Sequence, residues 1–259
     1  MKPILFKTEM VKAIQDGRKT TTRRVLKPKY KDDEYGFEIL TNRHTGQLLR
    51  VEKTDESGDT FDDMRVISPP YQLGDILYVR ETWGWNYCYD CGMADGGLDI
   101  VDFNDGHIES EPFRCNDETA ERIFLKKEQE YGCYCYKASA EDGEIPDGDG
   151  RWHPSIHMPK EATRLFLRVT SIRVERLQDI TPKQAIKEGA KDPYDYQEPA
   201  WYDQFPHLLD KYEIAAFAGL WDTTIPKKDL ARYGWNANPW VWVIEFERIS
   251  KEEALKNGV

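Results

Sequence analysis

The sequence predicts an α+β domain: a small β-barrel of mostly antiparallel strands, with peripheral helices and one large insertion. Three stretches carry that expectation. Leu165, Leu167 and Val169 alternate with exposed positions before the phase slips to Ile172 and Val174, as expected where a strand bends at the corner of a curved sheet. Pro239 to Ile249 reads as a core strand, with Trp240, Trp242, Ile244 and Phe246 on one face and Val241 and Val243 on the other. Thr181-Pro182-Lys183-Gln184 has the form of a capping box with proline at the first helical position, so a short helix is expected over Pro182 to Glu188, stopped by Gly189.

The remaining elements follow in chain order. Ile4 to Phe6 reads as a short strand, and Thr8 is placed to N-cap a helix with Met10, Val11, Ala13 and Ile14 on one face. Gly17 suits the left-handed stop of that helix. Thr20 to Val25 is rich in β-branched residues and is expected to be a strand or an extended loop entering one. Lys27 to Pro70 is charged and weakly patterned, with one strand expected at Leu48 to Glu52. Leu73-Gly74-Asp75 marks a turn before a strand over Ile76 to Trp83. Residues 86 to 150 hold all five cysteines and many Asp and Gly, and read as an insertion into a barrel domain formed by residues 1–85 and 151–259. A last helix is expected within Leu208 to Trp221, where Tyr212, Ala215, Ala216, Leu220 and Trp221 fall near helical spacing. No internal repeat is present.

Over 259 residues, 39% are hydrophobic and 32% charged, and the mean hydropathy is -0.73, with no apolar run suited to a membrane span. The run Pro3 to Phe6 is too short for the core of a signal peptide, so a cytoplasmic location is expected. The net charge of -11 disfavours nucleic acid as a partner, but its distribution does not. Residues 1–31 carry ten Lys and Arg against Glu9 and Asp16, a local net of +8 that leaves -19 for the rest. A polyanion would be met by the N-terminal segment; no membrane or protein partner is readable.

That positive charge peaks at Gly17-Arg18-Lys19-Thr20-Thr21-Thr22-Arg23-Arg24. One reading is a solvated strand edge bearing charges that block edge pairing. Another is chemical. In an extended segment Thr20, Thr22 and Arg24 share one face and Lys19, Thr21 and Arg23 the other. A lysine in the preceding turn can swing to either face, and a threonine hydroxyl beside a desolvated amine is a nucleophile and base pair. Glu188 adds a second clue. It falls in the last turn of its helix, where the dipole disfavours an anion, so it requires either a neighbouring Lys187 or Lys191 or a cationic pocket.

Gly17-x-Lys19-x-x-Thr22-x-Arg24 resembles the signature of the ASCH family, a branch of the PUA-like superfamily of small β-barrels associated with RNA. The Gly74-Asp75 strand, the Thr181 to Gly189 helix and the Trp240 to Phe246 strand follow in that family's order. The threonine at position 22 is similar to the form found in bacterial amidohydrolases of N4-acetylcytidine. The resemblance implies catalytic roles for Lys19, Thr22 and Glu188, with Arg18, Arg23 and Arg24 contacting a nucleoside or RNA base and no cofactor for catalysis. The greater length and the segment Arg151 to Pro159 resemble phage and prophage members, for which non-catalytic RNA binding and RNA cleavage are the alternatives.

Cys88-x-x-Cys91 and Cys133-x-Cys135 resemble two halves of a structural zinc site, with Cys115 and His107 as spare ligands; the alternative is a set of reduced thiols. Arg151 to Pro159 contains two prolines and so forms a shaped loop. Trp152, like Trp83, either stacks on a base or packs, and Ser155 and His157 are placed to read polar atoms. Asp147-Gly148-Asp149-Gly150 lacks the ligand spacing of a calcium loop and reads as a flexible solvated loop. Phosphate-binding glycine loops, paired-His zinc helices and serine-hydrolase elbows do not occur, so those enzyme classes lose support.

Overall fold

The computed structural model describes residues 1–26, 37–41, 48–53, 61–87, 123–125, 130–146, 148, 150–190 and 212–257. The protein is mixed α+β. The principal sheet has five strands in the hydrogen-bonded order β1 (Lys2–Leu5), β6 (Ile76–Arg80), β10 (Phe166–Arg176), β11 (Trp240–Ile249) and β2 (Thr21–Val25). Two compact units divide the chain: residues 1–17, 76–167 and 248–259 form one, and residues 18–75 and 168–247 the other.

In the first unit β1 pairs with β6 in parallel, Ile4 opposite Val79, a departure from the mostly antiparallel expectation that needs a long crossover between them. Helix α1 (Thr8–Gln15) lies in that crossover, buries Val11, Ala13 and Ile14, and ends at Gly17, whose φ of 76° only glycine adopts without strain. Its N-cap is Lys7 rather than Thr8, and no side chain caps it. The strand expected over Ile76 to Trp83 breaks after Arg80, and β7 (Trp83–Tyr87) begins a separate sheet of order β7-β9-β8. The break has a local cause. The amide of Glu81 bonds the sulfur of Met158, at 3.2 Å, instead of a ladder carbonyl. Strands β8 (Ile123–Leu125) and β9 (Glu130–Tyr136) lie inside the Cys-rich stretch, and β9 pairs antiparallel with β7. Gly148 donates its amide to Trp85 O at 3.1 Å, so the acidic loop read as solvated is tied down at that residue. A Cβ there would sit 2.4 Å from the Trp85 ring.

In the second unit β2 pairs antiparallel with β11, Arg23 opposite Val243 and Thr22 opposite Ile244. Strands β3 (Phe37–Thr41), β4 (Leu48–Lys53) and β5 (Phe61–Val66) form an antiparallel meander, of which only β4 was legible. Helices α2 (Pro182–Lys187), α3 (Tyr212–Thr224) and α4 (Leu230–Tyr233) follow β10, and α5 (Lys251–Asn257) closes the chain in the first unit. The core of the second unit gathers Leu177, Ala185, Phe217, Trp221, Trp235, Val241 and Val243, so the Val241 and Val243 face of β11 is covered by α2 and α3. The alternation at Leu165, Leu167 and Val169 and the slipped phase at Ile172 and Val174 fall almost wholly in one strand, β10, which starts at Phe166.

The capping box at the start of α2 is complete: the Thr181 side chain accepts from the Gln184 amide and the Gln184 side chain from the Thr181 amide. Gly189, with φ 93°, ends the helix. Thr181→Ala is therefore expected to cost about 1 kcal/mol in urea denaturation with an unchanged m-value, and Thr181→Ser to restore most of it.

Candidate functional site

The residues from Arg18 to Thr20 run against the C-terminal end of α2, where the last carbonyls have no partner within the helix. Thr20 N donates to Lys187 O at 2.9 Å, Lys19 Nζ to Glu188 O at 2.7 Å, and Arg18 Nη1 to Gly189 O at 3.3 Å. Three successive residues thus serve three successive carbonyls in opposite chain order. Two of the three donors are cationic, which suits the negative end of a helix. Phe246 N donates to Thr20 O at 2.9 Å and holds the same segment from the β11 side.

Lys19 is 2% exposed and the largest of the fully buried side chains. Beyond Glu188 O, its ammonium donates to Thr21 O at 2.7 Å and to Glu188 Oε2 at 2.9 Å. Three acceptors match the three N–H groups of an ammonium. Burial pushes the Lys19 amine below its usual 10.5; the Glu188 carboxylate opposes that shift, while Arg24 and Arg23 add to it.

Glu188 gives its other oxygen to Arg23, with Nη1–Oε1 at 3.0 Å. The compensation for an anion at this helix end comes from across the fold rather than from Lys187, which is exposed. Arg23 reaches Glu175 Oε1 with Nη2 at 3.3 Å and lies over the Phe217 ring, 5.8 Å from its centroid. Its Nε is buried without a hydrogen-bond partner, which costs about 1–3 kcal/mol. The series continues outward: Arg173 bonds Glu175 at 3.0 and 2.9 Å and also bonds Glu245.

Register places the other functional candidates on β2. Residues directly opposite in an antiparallel pair share a face. Thr22 and Arg24 lie with Ile244 and Trp242, whereas Arg23 lies with Val243. Thr22 is 2% exposed and Arg24 half-buried. Burial lowers the Arg24 guanidinium, opposed by Tyr71 and Glu188. Tyr71 is itself raised by burial. The structure therefore brings Lys19, Arg23 and Glu188 into contact, with Thr22 one peptide away on the opposite face. Glu175, Arg173, Glu245 and Tyr71 were not picked out from the sequence. Arg173 and Glu175, two apart on one strand face and alternating with Ile172 and Val174, were the available signal, and alternating charge on a strand reads first as solvated.

Trp83, Trp152, Ser155 and His157 belong to the other unit. Trp83 stacks on His153 at 4.8 Å and meets Tyr134 edge-on at 5.6 Å. Burial and the neighbouring Glu161 push the Tyr134 hydroxyl up to about 12, so it remains a donor. Trp152 Nε1 donates to Glu144 O at 3.1 Å. The loop is clamped from below: Met158 is 1% exposed and Arg80 donates to Met158 O and Ile156 O. Ser155 is half-buried and His157 exposed. Beneath the loop Glu81, 1% exposed, takes a two-pronged bond from Arg164, with both distances 3.0 Å. Arg164 also lies 3.9 Å from the Tyr136 ring centroid.

Cys88 and Cys91 lie outside the described residues, as does the side chain of Cys133. Cys135 is buried with its thiol 3.5 Å from Asn86 Oδ1, and among the described residues no group of three or more His, Cys, Asp or Glu gathers to hold a metal. No described helix is long and apolar enough to cross a membrane. No family model, curated protein or solved structure matches this chain.

The buried ion pair yields a stability test. Glu188→Gln should destabilise by about 3–5 kcal/mol, because it takes the shared carboxylate from both Lys19 and Arg23; Lys19→Met, which leaves Glu188 paired with Arg23, should cost less, and the double variant should lose less than the sum. The pH dependence has a fixed sign. With a folded pKa below 10.5, the native state binds fewer protons than the unfolded state between that pKa and 10.5, so wild-type stability relative to Lys19→Met should rise with pH across this window. A flat difference in alkaline denaturation curves would contradict a buried, downshifted amine.

Proposed function

We propose that this chain is an ASCH-type protein whose principal sheet closes into a PUA-like barrel, and that it binds a nucleoside or RNA base beside the Lys19–Glu188 pair. The observation that carries the reading is the buried charge itself. Neutral donors would satisfy the end of α2, and buried ion pairs are commonly replaceable by apolar residues without loss of stability. A fully buried lysine with a lowered pKa, bonded to a carboxylate 169 residues away, is the kind of perturbed group that concentrates at functional sites. Arg24 and Thr22 supply the ligand-facing polar groups on the other side of β2.

Hydrolysis of an N4-acetylcytidine-like amide is the reaction these residues would support. Thr22 Oγ would form a bond to the amide carbonyl carbon while its proton passes to neutral Lys19 Nζ. Collapse would break the C–N bond, the amine leaving with the proton returned by Lys19, and water would then cleave the acyl-threonine to release acetate. Such a step needs the Lys19 amine form and its release from Thr21 O towards Thr22.

Incubation with N4-acetylcytidine and chromatography of the products test both halves, with Lys19→Ala and Thr22→Ala checked for folding by circular dichroism. Turnover by wild type and at least about a hundredfold loss in each variant is the result expected of the hydrolase. Without turnover, binding of a single-stranded RNA oligonucleotide that weakens steeply with salt supports a non-catalytic RNA module, and strand cleavage supports a nuclease. A folded protein that does none of these refutes the proposal. Structural zinc on Cys88, Cys91, Cys133 and Cys135 is a separate proposal resting on spacing alone: metal analysis of the fully reduced protein should find bound zinc, and its absence would remove the idea.

A further inference from the structure

The Lys19–Glu188 pair is the inner end of a row of alternating charges. From Lys19 the row runs through Glu188, Arg23, Glu175 and Arg173 to Glu245. Side-chain exposure rises along it from 0% at Lys19 and Arg23 and 4% at Glu188 to 16% at Glu175 and 34% at Arg173 and Glu245. Guanidinium groups do not give up protons at accessible pH, so the row cannot pass a proton along. It can only set how tightly its inner end holds one.

We infer that Arg23 and Glu175 are positioning residues that set the protonation of Lys19 in opposite directions, and so fix the pH range in which the site works. The inference rests on the reading of Lys19 as a functional group. Glu188 divides its two oxygens between Lys19 and Arg23, so the fixed positive charge of Arg23 weakens the hold of Glu188 on the lysine proton. When Lys19 is neutral, Arg23 still bonds Glu188 and holds it in place. Glu175 draws on the second nitrogen of Arg23 and moderates its field. Arg24 on β2 also acts against the Lys19 charge, and Tyr71 and Glu188 in turn act on Arg24.

The test is a heteronuclear NMR titration of the Lys19 Cε and Nζ signals, assigned by their loss in Lys19→Met. Arg23→Gln should raise the Lys19 midpoint by about one pH unit, Arg23→Lys should bring it back towards wild type, and Glu175→Gln should lower it by a smaller amount. Opposite shifts are not expected of groups that merely pack. If Arg23→Gln fails to fold, the partly exposed Glu175→Gln decides: a fall supports the inference and an unmoved or raised midpoint overturns it. No substrate is involved, so loss of the proposed function and loss of this inference are separable. Where wild type turns over N4-acetylcytidine, the acidic limb of its pH–rate profile should move with the Lys19 midpoint in each variant, and a limb that stays put would overturn the functional part of the inference.

Discussion

The orphaned carbonyls at the end of α2 are the constraint on which the second unit is organised. The carbonyls of Gln184, Ala185 and Ile186 are met by local amides, whereas those of Lys187, Glu188 and Gly189 are met by the chain between Gly17 and β2, in register. That docking fixes where β2 begins, and β2 in turn sets Arg23 against the core beside Val243 and Phe217. With Arg23 inside, a carboxylate must follow, and Glu188 at the same helix end provides it. Cap, strand entry and buried ion pair are consequences of one another. The concentration of positive charge in an acidic chain therefore has a structural reason that coexists with any ligand.

How much of this could be read from the sequence depends on distance along the chain. The α2 capping box and its glycine stop are local devices, encoded within nine residues, and they were legible with their boundaries. Strand β11 was legible because its apolar residues exceed what one face can carry. Strands β3 and β5 were not, since Phe37 to Thr41 and Phe61 to Val66 mix charged and apolar residues without a dominant period. The parallel pairing of β1 with β6 joins segments more than seventy residues apart and leaves no trace in either. At the site, alternation along β2 separated Thr22 from Arg23 correctly, but nothing in the polar run Thr21 to Arg24 says which face turns inward. Arg23 is inside because of Glu188 and Glu175, 165 and 152 residues away.

The first unit solves a different problem with similar means. A loop containing two prolines offers few amides for a ladder, so it is held by a single backbone bridge, His153 with Trp83, by the Trp83 ring stacked on His153, and by Arg80 donating to Ile156 O and Met158 O. The buried carboxylate of Glu81 anchors Arg164, which then lies flat on Tyr136. Both units thus put a carboxylate in the interior and orient arginines around it, an arrangement that resists change because removing either partner leaves an unpaired charge out of water.

In the language of coordination chemistry, Lys19 is an ammonium ion on a tether. Its cage is three oxygens, two from peptide carbonyls and one from a carboxylate, with a single formal negative charge. The oxygens are fixed by a helix end, its carboxylate and a strand edge, not by the lysine stem, so the cage is built without Lys19, whose side chain only delivers the occupant. A truncated side chain at position 19 would leave behind a small monocation receptor, one that free ammonium or methylamine has the charge and the donors to fill.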